Sequence, residues 1–196
     1  MDTFRFWDTI EQARATTDGS IDAQVDAIEQ ALTELHLDDV IAFRTELVQA
    51  SQRLYTWENW GAATVILGYC SDDAFQDFRS WVIAQGRRTF ESFVNDPDSI
   101  VDVGLADDDE IGAAEMLSYV ADNVYEKRAG RTIWVDLPDS PALDPDSEPT
   151  GHKFEETDEV LKLKYPRLAQ AYMPEETASL QGGKRRLWPV KRRRNG

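Results

Sequence analysis

Residues 57–86 read WENWGAATVILGYCSDDAFQDFRSWVIAQG, which spells a helix, a tight turn and a second helix. Ala62 to Leu67 closes the first helix, and Gly68 supplies the left-handed conformation that ends many helices. Ser71 then offers its hydroxyl as an N-cap, while Asp72 and Asp73 place carboxylates where the helix dipole favours negative charge. Phe75, Phe78 and Val82 recur at helical spacing, so one face of the second helix is apolar, and Gly86 stops it.

Working outward, the same spacing predicts helices on both sides. Phe6, Trp7 and Ile10 form the stripe of a helix starting near Thr3. Ile21, Val25, Ile28, Leu32 and Leu35 follow the template, and Ile41, Leu47, Val48 and Leu54 mark a third helix. Arg87 to Val94 reads as a short helix with Phe90 and Phe93 inward; Pro97 disfavours helical geometry at Asp96 and sets its end. Glu110 to Lys127 reads as one helix, with Ile111, Ala114, Leu117, Ala121 and Val124 on one face and Gly130 as its stop. Residues 131–135, RTIWV, have strand character but are too short and isolated to define a sheet. Pro138 to Gly151 carries four prolines and reads as an extended surface loop. Thr157 caps a last helix that Tyr165-Pro166 breaks before Leu168 and Tyr172 pack back. The expectation is an all-α, compact, bundle-like single domain of roughly seven helices at residues 1–176, allowing one short extended segment. A flexible linker and a disordered basic tail follow at 177–196.

The charge is unevenly spread. The chain of 196 residues carries a net charge of −16, yet Lys184, Arg185, Arg186, Lys191, Arg192, Arg193 and Arg194 are seven cations with no acid among them. The body up to Gly183 therefore holds 14 basic against 37 acidic residues, a net −23, which repels nucleic acid and anionic membrane. The tail attracts both, so weak, non-specific nucleic-acid attachment is expected there alone. No apolar run approaches a membrane span, Met1-Asp2-Thr3-Phe4 is not a signal peptide, and one cysteine cannot form an internal disulfide. A cytoplasmic location is expected on these grounds.

The pattern Trp57, Ala62, Leu67, Gly68, Ser71-Asp72-Asp73, Phe75, Asp77-Phe78-Arg79, Trp81 and Gly86 resembles the signature of domain of unknown function 4240. Phe6-Trp7, Asp96-Pro97-Asp98, and Tyr165-Pro166 with Leu168 agree with it, so the resemblance runs from about Phe4 to Tyr172. It implies a small cytoplasmic bacterial protein and brings no activity with it.

The candidate site residues are few. Asp73 and Asp77 stand four apart on one helix face and, with Asp72, could share a cation or a proton. The plainer reading gives Asp72 and Asp73 to the helix N-terminus and pairs Asp77 with a nearby cation. Arg79, between Phe78 and Trp81, is expected to bridge elements through a bidentate bond to a carboxylate, or else to receive an anionic ligand. Trp60, before Gly61, is core or the wall of a surface concavity. Cys70 reads as a buried, inert thiol. His36 and His152 are the only histidines, and no HExxH, cysteine–histidine zinc set, P-loop, dinucleotide fingerprint or Gly-x-Ser-x-Gly occurs, so no metal or cofactor is expected. The leading expectation is a non-enzymatic binding or regulatory module with a protein partner. The alternative is a metal-dependent hydrolase or other enzyme built on Asp72, Asp73 and Asp77, and a third reading is nucleic-acid or anionic-surface attachment through the basic tail.

Overall fold

A computed structural model describes residues 3–106, 108–137 and 148–173. Ten α-helices occur among them: α1 (Thr3–Ala15), α2 (Ile21–Thr33), α3 (Leu37–Arg53), α4 (Trp57–Leu67), α5 (Asp72–Ala84), α6 (Arg87–Asn95), α7 (Asp108–Ala113), α8 (Val120–Ala129), α9 (Asp158–Lys164) and α10 (Pro166–Tyr172). Short 3-10 helices cover Pro97–Val103, Ala114–Ser118 and Ile133–Val135. The described residues contain no strand, only an isolated parallel bridge between Thr56 and Thr150. None of their helices is long and apolar enough to cross a membrane.

The turn between α4 and α5 forms as its residues dictate. Gly68 caps α4 at φ 72°, and the Ser71 hydroxyl accepts from the Ala74 N–H at 3.2 Å. The helix they launch, α5, is the hub, packing against α1 to α4, α6, α7 and the Ala114–Ser118 turn. Phe75 and Phe78 are fully buried in it, with Phe78 edge-on to Phe93 at 5.7 Å. A second aromatic group, Phe6, Trp7, Phe43 and Phe90, closes the core beneath α1 and α3.

The count of ten exceeds the expected seven because the stretches read as helical already number eight and two breaks add the rest. The 110–127 segment is broken, although Ile111, Ala114, Leu117, Ala121 and Val124 all face the core as expected. The first three of those recur every three residues, which is the period of a 3-10 turn, and α-helical winding resumes only where the spacing lengthens after Leu117. Pro166 also founds its own helix: Tyr165 is held at φ −127°, ψ 64°, and proline suits the first helical position.

The extended segment expected at 131–135 is a single 3-10 turn instead. Asp136 accepts from both Arg131 Nε, at 2.7 Å, and the Tyr125 hydroxyl, which curls the segment back on α8 where no partner strand exists. The proline-rich loop lies mostly outside the described residues, as does the whole basic tail at 177–196.

Candidate functional site

Two cavities meet at one exposed tyrosine. The larger, about 500 Å³, lies between the C-terminal half of α4 and helices α9 and α10; the smaller, about 290 Å³, lies between α5 and α7. Leu67 and Tyr69 line both. The capped turn after Gly68 holds Tyr69 out of the core, 77% exposed. Glu156, Asp158 and Leu161 line the larger cavity, and Asp77, Asp108 and Ile111 line the smaller. Among the described residues no lysine or arginine lines either one. Thr64 anchors the far wall by donating its hydroxyl to Glu156 Oε2 at 2.6 Å.

Asp77 is the electrostatic centre of this groove. It has no cation partner among the described residues, which corrects the expectation that it forms an ion pair. Burial, then Glu115, then Asp73 push its carboxyl up to about 6, because each disfavours the charged form. Asp72 and Asp73 are exposed in the first turn of α5, in the helix-terminal role. The described residues bring no three His, Cys, Asp or Glu side chains together as a group that could hold a metal ion.

The other candidates fall elsewhere. Arg79 turns to the opposite side of α5, towards α3, and makes no ion pair among the described residues; the expected carboxylate bridge is absent. Trp60 is half-buried, its ring 4.7 Å from Phe75 and 5.8 Å from Trp57, and it lines neither cavity at Tyr69. Cys70 is buried with its thiol pushed up to about 12, mainly by burial, which leaves it protonated and unreactive. Tyr69 escaped the sequence reading, although an aromatic directly after a helix-capping glycine was its available signal. Glu156 and Asp158 had none, since they reach the groove from about ninety residues away.

The sequence profile described as protein of unknown function (DUF4240) matches residues 1–127. The chain belongs to this family. No curated protein and no solved structure matches it. The DUF4240 match spans α1 through most of α8, so it includes Asp77, Arg79 and Tyr69 but leaves out the α9–α10 wall of the larger cavity. Within the DUF4240 match, Ser71 to Arg79 caps α5 at one end and supplies two separate cavities with a carboxylate and a guanidinium.

Proposed function

We propose that this DUF4240 chain is a non-enzymatic, cytoplasmic binding module whose groove at Tyr69 takes a cationic, partly apolar segment of a protein partner. The observation that carries the reading is Tyr69 itself, an exposed aromatic at the junction of two cavities whose charged lining residues, among those described, are all acids. Aromatic side chains with an apolar body and a polar tip serve as anchors at interfaces. Carboxylates on both sides select a basic segment and reject an acidic one. Leu67, Leu161 and Ile111 supply the apolar floor such a segment needs.

Fluorescence anisotropy of a labelled lysine–leucine peptide, with a glutamate–leucine peptide as control, tests this on the full chain. The lysine peptide should bind and the glutamate peptide should not. Tyr69→Ala and the pair Asp77→Asn/Glu156→Gln should each weaken binding by about ten-fold or more. A charge-matched pair at exposed acids outside both cavities, Asp26→Asn/Glu126→Gln, should leave it nearly unchanged. Equal losses in the two charge-neutralised pairs, or none on losing Tyr69, would mean that the peptide merely coats an acidic surface.

A further inference from the structure

Arg79 is 4% exposed and has no carboxylate partner among the described residues. Buried charges are ordinarily paired, because leaving water is costly to an unpaired ion. Its Nε donates to Phe75 O at 3.4 Å, and its Nη1 donates to Ser51 O and Oγ at 3.2 and 3.0 Å. The guanidinium carbon stands 4.8 Å from the Tyr55 ring centre and 5.2 Å from that of Phe75. These contacts position the group but bring no negative charge to it. Burial accordingly lowers its hold on its proton, with the pKa brought down to about 10.

Nη2 makes no hydrogen bond, yet it is not sealed in: the one enclosed side-chain nitrogen or oxygen without a partner among the described residues is Ser99 Oγ. Nη2 is therefore still accessible, and Arg79 lines a cavity of about 150 Å³ between α3 and α5. Arg44, Ser51, Gln76, Ser118 and Leu47 also line that cavity, and no acid does among the described residues. Arg44 is already matched by Asp122 at 3.1 Å. The cavity thus holds one uncompensated positive charge inside a body of net −23.

We propose that this cavity is a binding site for a small oxyanion, a free phosphate or the carboxylate of a short organic acid, held by Arg79 Nη2. At about 150 Å³ it lies below the roughly 300–1,000 Å³ of drug-sized ligand pockets, which excludes a nucleotide and suits a single oxyanion. The Ser51 and Ser118 hydroxyls and the Gln76 amide are the further donors in the wall. Leu47 and Val48 leave room for an aliphatic substituent, the feature that separates a carboxylic acid from free phosphate. The site lies on the other side of α5 from Tyr69, and neither reading depends on the other.

The test is calorimetric titration of the full chain with sodium phosphate, and separately with sodium butyrate, in a low-chloride buffer. Saturable, one-to-one binding below about 10 mM by either anion supports the site, and the tighter of the two identifies the ligand class. Gln76→Glu places a carboxylate in the cavity wall as a competitor within the chain. It should weaken anion binding by about ten-fold or more while raising the melting temperature in anion-free buffer. Ser118→Ala, which removes one donor, should weaken binding by a smaller factor. Undiminished binding in Gln76→Glu would overturn the proposal, as would the absence of saturation with both anions.

Discussion

An ionised Asp77 lies beside Asp73 and Glu115 with no cation among the described residues to offset them, and partial burial adds to the cost of its charge. Its folded-state pKa of about 6 stands above the ordinary value of 3.8, so the folded chain holds that proton more tightly than the unfolded chain does. The stabilising contribution is therefore complete below about pH 4 and is lost as pH rises through about 6. Asp77→Asn should consequently be more stable than the parent at about pH 7.5, by on the order of 1 kcal/mol once solvent screening of a partly exposed group is allowed for. At about pH 4 the two should match, because the parent then carries a neutral carboxyl as well. Urea melts at both pH values make the comparison, and an equal gain at both would assign the effect to packing rather than charge. The same titration bears on the groove: a cationic segment favours the ionised form, so its affinity should fall as pH drops through about 6.

At the scale of elements, α10 is held by residues far away in sequence. Asp98 is buried, and its Oδ2 accepts from the Arg167 N–H at 2.9 Å while its Oδ1 accepts from the Leu168 N–H at 2.8 Å, which caps the helix from outside. Tyr165, just before that helix, donates its hydroxyl to Glu58 O at 2.6 Å and lies flat against Gly61 of α4. A Cβ on Gly61 would stand 2.5 Å from Phe154 Cζ and 2.6 Å from Tyr165 Oη. Helix propensity alone favours alanine there by about 1 kcal/mol. Gly61→Ala should nonetheless lose about 1–3 kcal/mol in urea melts, because the buried, hydrogen-bonded Tyr165 cannot swing clear. Phe154→Ala in the Gly61→Ala background should recover part of that loss, and a net gain from Gly61→Ala alone would show that the two rings yield freely. These contacts also explain what was legible in advance. Gly68 and Ser71 act within a turn of their own position, so α4, α5 and their connection follow from local chemistry. Asp98, Tyr165 and Glu156 act across sixty-nine to 107 residues, and no spacing rule reports such distances. Arg79 reads in the sequence as a bridge to a carboxylate, and its lack of one among the described residues depends on which residues α3 brings opposite it, a tertiary matter.

On the scale of the whole molecule, the charge divides into an acidic body and a cationic end. The body carries −23 and the seven cations of Lys184 to Arg194 carry +7, with Gly182-Gly183 before them and Pro189 among them to resist regular helix. The seven lie outside the described residues. Duplex DNA approaching the chain meets attraction from the tail and repulsion from the body, each screened over a Debye length of about 8 Å at physiological salt. Binding should therefore be weak and independent of sequence, and it should fall steeply with added salt, because it rests on counterion release by a few lysines and arginines. A chain ending at Gly182 should melt at the same temperature as the full chain, keep the same helix content and lose that residual binding. Thermal melts and salt-dependent DNA titrations on both chains decide the matter together. Tight, sequence-selective binding that survives removal of the tail would mean that the folded body reads nucleic acid, against a net charge that should forbid it.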